Sequence, residues 1–257
     1  MLANQRHQEI LDLISSRKYV EVKELSDICK VSTETIRQDL KKLEEEKKLL
    51  RVHGGARLTS SEQHEIPYYV REYANVDLKT EIANEAVKLI QPGEQIILDS
   101  SSTSLFLAHA LPDQPITVLT NSLRIAEALA TKEKIQVVVV GGVMLRSSLS
   151  FVGLMTQKSL ANYKVNKFFL CGKVDYNFGI SEPNESAVLA KQHMMAISDE
   201  IIVLADHHKF GKVDFMQILP LREVDRIITD SQISQQSVSA LKEYANRVVI
   251  AQPSSII

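Results

Sequence analysis

Apolar residues follow two rhythms along the chain, and the rhythm changes near residue 78. In residues 4–16, Ile10, Leu11, Leu13 and Ile14 recur at helical spacing and share one face. Tyr19-Val20-Glu21-Val22 reads as a short extended piece. Lys23 to Cys29 predicts a short helix with Leu25 and Ile28 inward, followed by a tight turn at Lys30-Val31. Ser32 then opens a helix that runs to about Lys47, with Ile36, Leu40 and Leu43 as its core stripe. Its hydroxyl is a good N-cap, able to accept an orphan backbone N–H. Residues 49–58 alternate around Gly54-Gly55, which predicts a two-stranded wing. Residues 59–77 are polar, with Ser60-Ser61, Pro67 and Tyr68-Tyr69, and read as a linker.

From Leu78 strand-length apolar runs alternate with helical stretches. Lys79 to Ile90 is amphipathic, with Ile82, Ala83, Ala86, Val87 and Ile90 on one face. The runs are 95–99, 116–120, 135–140, 167–171, 201–205, 226–229 and 247–251. They are rich in Val and Ile, as suits strands buried on both sides. The fold class expected is α/β: a winged helix-turn-helix head at 1–58 (motif about 20–39), then a mainly parallel sheet at 78–257 covered on both faces.

Composition narrows the class further. The 257 residues are 44% hydrophobic and 24% charged, ordinary for a globular protein. No apolar run approaches the roughly 18 residues of a membrane span. The opening MLANQRHQEI lacks the apolar core of a signal peptide. Two cysteines, Cys29 and Cys171, make neither a disulfide framework nor a four-cysteine zinc site. A reduced, cytoplasmic chain is expected, with no membrane partner. Residues 1–58 carry 12 Lys+Arg against 10 Asp+Glu, while the other 199 carry 18 against 22. A mildly basic head permits nucleic-acid contact without demanding it.

In a winged helix-turn-helix the second helix of the motif enters the major groove with its N-terminal residues at the base edges. Thr33, Glu34, Arg37, Gln38 and Lys41 lie away from the core stripe. Arg37 or Gln38 suits guanine or adenine. Ser32, Thr35, Lys41 and Lys42, with Arg51, His53 and Arg57 of the wing, suit phosphates. The alternative is an amphipathic helix with a solvated outer face. Here the chain resembles the DeoR family of bacterial transcriptional regulators. The resemblance is carried by Arg6, Ile10 and Ile14, by Ser32-x-x-Thr35-Ile36-Arg37-Gln38-Asp39-Leu40, and by Arg51-x-His53-Gly54-Gly55. Asp39 is expected in a structural salt bridge, since its charge repels phosphate.

In an open parallel sheet, ligands sit beyond the carboxyl ends of the strands. There the sequence places Asp99-Ser100-Ser101-Ser102-Thr103, then Thr120-Asn121-Ser122, then Gly141-Gly142 with Arg146, then Asp206-His207-His208-Lys209-Phe210. A hydroxyl-rich turn before a helix offers N–H groups and a favourable dipole to an anion, or simply caps the helix. Lys209 is a candidate phosphate cation and Asp206 a hydroxyl acceptor. His207-His208 has no third ligand at a suggestive spacing, so no metal is expected. His193-Met194-Met195 reads as core and flank, and Cys171 as a buried thiol.

These stretches also resemble the sensor domain of the DeoR family, together with Gly153, Asp175 with Gly179-Ile180, and Ile228-Thr229-Asp230. That family is similar in fold to ribose-5-phosphate isomerase, and its effectors are typically phosphorylated sugars. There are two departures: Ser101 stands where glycine is usual, and Cys171-Gly172-Lys173-Val174-Asp175 differs from Gly-Ala-Asp-Gly-Ile-Asp.

The resemblance implies a sequence-specific regulator, a repressor of a carbohydrate-catabolism operon relieved by a phosphorylated sugar or sugar alcohol. Its partners are then operator double-stranded DNA, that effector, and further copies of itself in a homodimer or homotetramer; no cofactor is implied. Activator is the variant, since the sign depends on where the operator lies. The other class is a sugar-phosphate isomerase or deaminase carrying a DNA-binding head, with Asp99, Asp175 and Asp206 as acid–base candidates. No spacing singles out a poised base among them, and the expectation is no enzyme. The helix at 184–199 and the loop at 176–184 are expected to shape ligand specificity.

Overall fold

The computed structural model describes residues 3–17, 19–46, 48–52, 54–57, 66–241 and 248–253. The chain forms two compact units, Met1–Val76 and Asp77–Ile257.

The first unit holds α1 (Ala3–Arg17), β1 (Tyr19–Glu21), α2 (Val22–Cys29), α3 (Thr33–Glu45), β2 (Leu50–Val52), β3 (Gly55–Arg57) and α4 (Tyr68–Tyr73). Ser32 caps α3 as expected, accepting the Thr35 N–H at 3.1 Å. Ile10, Leu11, Ile14, Leu25, Ile36, Leu40 and Leu43 form one buried cluster with Val20, Ala56 and Val70.

Two features differ from the sequence expectation. The wing has three strands, in the order β1-β3-β2, because the extended piece at Tyr19–Glu21 pairs antiparallel with β3. Gly55 makes this possible: a Cβ there would stand 2.3 Å from the Val20 carbonyl oxygen. The stretch read as a linker contains α4, whose Tyr68 and Val70 are buried, and Val70 belongs to the same cluster as the helices of the motif. Lys47, His53 and residues 58–65 lie outside the described residues.

One polar group ties α1 to α3. Asp39, buried on the inner side of α3, accepts from Arg6 Nε at 2.5 Å and from an Arg6 terminal nitrogen at 3.0 Å. His7 Nε2 lies 2.9 Å from the same carboxylate. A forked guanidinium–carboxylate pair fixes angle as well as distance. Burial pushes the Asp39 carboxyl up, but the Arg6 and His7 hydrogen bonds outweigh it and hold the group below the usual carboxylate range.

The second unit begins with α5 (Val76–Val87) and continues β4 (Gln95–Leu98), α6 (Ser102–Ala110), β5 (Ile116–Thr120), α7 (Leu123–Leu129) and β6 (Ile135–Val139). A hairpin, β7 (Val143–Leu145) with β8 (Ser150–Val152), leads to α8 (Leu154–Leu160) and β9 (Val165–Leu170). Then come β10 (Lys173–Asp175), β11 (Gly179–Glu182), α9 (Glu185–Ala196), β12 (Ser198–Leu204), β13 (Met216–Leu219), β14 (Arg226–Thr229), α10 (Gln235–Leu241) and β15 (Val248–Ile250). The amphipathic helix read at 79–90 thus starts and stops three residues earlier.

Each of the seven apolar runs contributes one strand to a seven-stranded sheet of order β15-β14-β12-β9-β4-β5-β6. Every pairing in it is parallel. Ile96, Ile97, Leu98, Phe168, Phe169, Ile202 and Ile227 are fully buried. The hairpin and the antiparallel trio β10-β11-β13 were not anticipated.

Asp39→Asn is expected to cost the head about 3 kcal/mol, because it leaves the Arg6 charge buried without its partner. The stability carried by Asp39 is present above its unfolded value near 3.9 and is lost as pH falls through its lower folded value. Hydrogen exchange of the α3 amides in the full chain checks both. Wild-type protection should weaken on acidification below about pH 4, whereas the variant should be weak throughout.

Candidate functional site

Because the seven strands run parallel, their carboxyl ends line one edge of the sheet. The strand order reverses direction between β4 and β9, and at such a switch point an open parallel sheet is expected to form a crevice where the following loops diverge. Residues 99–103 follow β4 and Cys171-Gly172 follow β9. Beyond β5 come Thr120-Asn121-Ser122, beyond β6 Gly141-Gly142, beyond β12 residues 206–209, and beyond β14 Asp230. The fold therefore brings together most of the strand-end residues singled out from the sequence. Asp175 and Arg146 stand one element further on, in β10 and in the turn of the β7–β8 hairpin.

The crevice is built around a buried charge. Lys191 of α9 is 4% exposed. Its Nζ lies 2.9 Å from Asp99 Oδ2 and 2.9 Å from Glu182 Oε2, and donates to the Cys171 carbonyl at 2.7 Å. Burial lowers the lysine's proton affinity, but the two carboxylates raise it further, so the net shift is upward. Asp99 answers in kind: burial raises its pKa, and Lys191, Ser104, Ser101 and the Cys171 N–H bring it below the usual range. Asp99 accepts from Cys171 N at 2.8 Å, Ser101 N at 3.1 Å and Ser104 Oγ at 2.6 Å. It therefore shapes the turn at 99–103 and is engaged by its own chain.

Ser101 caps α6 by accepting the Ser104 N–H at 3.0 Å, and its Oγ lies 2.8 Å from Cys171 Sγ. The two departures from the resembled pattern, Ser101 and Cys171, thus touch across the crevice. Burial pushes the Cys171 thiol up to about 12. Ser100, Ser102 and Thr103 are also buried at the start of α6.

On the neighbouring strand end, Thr120 Oγ1 donates to the Leu98 carbonyl and accepts the Ser122 N–H, and Ser122 caps α7. Asn121 gives its Nδ2 to the Phe151 carbonyl at 2.8 Å, and its buried Oδ1 has no hydrogen-bond partner. Gly141 is open, whereas a Cβ on Gly142 would meet Thr156 Oγ1 at 2.2 Å.

On the other side, Asp206 caps a short 3-10 turn, His207–Lys209, by accepting the His208 N–H at 3.0 Å. His207 Nδ1 is 2.7 Å from the fully buried Asp230, and the two imidazoles stack with centroids 3.9 Å apart. The hydrogen bond to Asp206 raises the His208 pKa. Burial pushes the Asp206 carboxyl up, but the His208 hydrogen bond and the charge of half-buried Lys209 bring it below the usual carboxylate range. Lys79 of α5 acts on Asp206 in the same sense, with its Nζ 5.4 Å over the Phe106 ring.

Asp175 accepts the Asn177 and Phe178 N–H groups and so makes the turn between β10 and β11. Each of the three acid–base candidates is thus occupied in holding local structure. Among the described residues no three His, Cys, Asp or Glu are placed to hold a metal ion, and no helix is long and apolar enough to cross a membrane.

Sequence reasoning missed Lys191, Glu182 and Lys79. Lys191 does carry a signal: it falls at helical spacing from Ala187 and Val188, on the face that buries Met194.

In the first unit, Glu34, Arg37, Gln38, Lys41, Lys42, Arg51 and Arg57 are exposed, as is Ser32, while Thr33 and Thr35 are half-buried. Arg37 is steadied by Glu34 at 3.3 Å. A groove of about 610 Å³ separates the start of α3 from the wing, lined by Thr33, Arg37, Arg51, Gly54 and also Lys23. Lys23 was not anticipated. His53 is outside the described residues.

A family model described as a DeoR-like helix-turn-helix domain matches residues 6–62, and one described as the DeoR C-terminal sensor domain matches 74–231. The chain is 45% identical to the HTH-type transcriptional regulator YulB of Bacillus subtilis over 95% of both chains. It is 34% identical to an L-fucose operon activator of Haemophilus influenzae, covering 90% of this chain and 93% of that one. It is 33% identical to the HTH-type transcriptional repressor GlcR of Bacillus subtilis, covering 90% and 89%. Among solved structures, ribose 5-phosphate isomerase A of Methanocaldococcus jannaschii is 21% identical, with TM-score 0.41, over 54% of this chain and 56% of that one.

Lys191→Met is expected to destabilise the second unit by about 3–5 kcal/mol, since two carboxylates lose their buried cation. Its deficit should shrink as pH falls, because protonating Asp99 relieves the uncompensated charge. Urea denaturation of wild type and variant at pH 7 and pH 5 checks both the size and the sign.

Proposed function

The chain belongs to the DeoR family of transcriptional regulators, and on that premise we propose that it represses a carbohydrate-catabolism operon until a phosphorylated sugar or sugar alcohol binds its second unit. The observation that carries the effector half is the set of polar strand ends at the β4–β9 switch point, where open parallel sheets bind their ligands. It combines the buried hydroxyls of residues 100–103 at the start of α6 with Lys209 on the same edge. Helix N–H groups and a lysine together suit a phosphate. Asn121, with its unused buried acceptor, suits a sugar hydroxyl on the same edge.

The DNA half rests on the exposed Arg37 and Gln38 of α3 and on the cations around the groove beside it. Arg37 and Gln38 read bases; Lys23, Lys41, Lys42 and Arg51 hold phosphates. One such head makes few base contacts, so a symmetric dimer or tetramer on repeated half-sites is proposed. Effector and operator then weaken each other's binding by the same factor. Whether the result is repression or activation depends on where the operator lies relative to the promoter.

The Ser101–Cys171 contact narrows the crevice, and with it the range of sugars admitted. A thermal-shift screen of phosphorylated against unphosphorylated sugars tests the effector class, since a ligand that binds the native state raises the melting temperature. A response confined to unphosphorylated sugars would overturn it.

Arg37→Ala is expected to remove discrimination between operator and random DNA while leaving the thermal response to the effector intact. A variant that still discriminates in a gel-shift titration counts against its role. Lys209→Ala is expected to weaken the effector response about 10- to 150-fold, the worth of a charge-assisted bond of roughly 1.5–3 kcal/mol. An unchanged titration would remove Lys209 from the site.

A further inference from the structure

Six of the large apolar side chains exposed in the second unit crowd one region. They are Leu123 (44% exposed), Val139 (44%), Val143 (70%), Met144 (38%), Leu154 (64%) and Met155 (74%). The backbone ties the segments carrying them together. Leu123 N donates to the Leu149 carbonyl at 3.0 Å, and Phe151 N to the Asn121 carbonyl at 2.8 Å. Thr156 of α8 donates to the Gly141 carbonyl at 2.9 Å, and a Cβ on Gly153 would stand 3.8 Å from Val143 Cγ2. The turn after β5, the β7–β8 hairpin and the start of α8 thereby form a single face beside β6, which among the described residues pairs with β5 alone and ends the sheet.

The chemistry of this face limits what can cover it. Between Ile135 and Met155 the only charged residue is Arg146, in a chain that is 24% charged. A stretch with a single charge offers little to DNA or to a charged peptide. Beside Leu123, Arg124 is paired with Glu127. Under a two-fold axis an apolar patch with so few charges meets its own image and strands little charge. The six side chains expose roughly 600 Å², near the top of what a monomer's largest apolar patch shows and most of the about 800 Å² that a standard interface takes from each partner.

The geometry points to a second copy of this chain as the occupant, packed isologously on the β7–β8 hairpin and the start of α8. This rests on the regulatory reading above, in which a second recognition helix is required. It also gives that reading a physical route. Asn121 and Gly141 of the candidate pocket lie in the same turns that carry the face. A ligand that shifts those turns shifts the surface on which the two copies meet, and so the spacing of their recognition helices.

Sedimentation analysis of the full chain tests it. The wild type is compared with the double variant Leu154→Arg, Met155→Arg and with Val143→Lys on the hairpin. Phe215→Arg, at an apolar residue 79% exposed on a different loop, is the control. The expected result is a wild-type dimer at micromolar concentration, a dissociation constant at least tenfold higher in both patch variants, and no change in the control. Equal circular dichroism spectra establish that the variants are folded. A wild type that stays monomeric to about 100 µM, patch variants with wild-type mass, or dissociation by Phe215→Arg alone would each overturn the proposal. Selection of binding sites from random DNA separates the two readings. A wild type that selects no sequence overturns the regulatory reading. Selection of a sequence by variants of unchanged mass overturns the surface alone.

Discussion

A lysine ammonium sealed from water must find its counter-charge inside the protein, and Lys191 finds it in three places. It bridges the carboxylate that follows β4, a carboxylate of β11, and the carbonyl that follows β9. These are the two sides of the point where the sheet's winding reverses, together with the small antiparallel sheet that grows out of it. Without that cation the turn at 99–103 would have two buried negative charges behind it. With it, Asp99 is free to organise N–H and hydroxyl donors, and the start of α6 stands in a defined position at the mouth of the crevice. The polarity of this sheet edge thus depends on a charge sealed behind it.

The head solves the same problem with the signs exchanged. Asp39 is the buried carboxylate, and Arg6 and His7 converge on it from α1. The recognition helix is held from behind by this fork and by Ile36 and Leu40, which leaves Arg37 and Gln38 outward. On a helix proposed to face DNA, an acidic residue is tolerable because it is turned inward and neutralised.

The seven central strands were legible because each run is mostly apolar, four to six residues long and, in most cases, set off by helical stretches. The hairpin β7–β8 and strands β10 and β11 were not. Most are three residues long, interrupted by glycine or a turn, and defined by partners far along the chain. Helix α4 was hidden for a related reason: Tyr68 and Val70 are its only buried residues, set in a polar stretch. At the site, the strand-end hydroxyls could be read from the sequence, but their division of labour could not. Ser101, Thr120 and Ser122 proved to cap or brace backbone, and only the hydrogen bonds made in the fold distinguish them from their neighbours. Lys191 escaped notice because a lysine on a helix is by default assigned to solvent.

The sealed thiols carry a different consequence. Each compact unit holds one cysteine, Cys29 in the first and Cys171 in the second, and both are buried. Burial raises both pKa values. Thiolate, the species that alkylating and oxidising reagents attack, is therefore nearly absent while either unit is folded. Modification of Cys29 follows opening of the first unit, and modification of Cys171 follows opening of the second. Without any engineered label, the protein carries two independent chemical clocks for the local unfolding of its two halves.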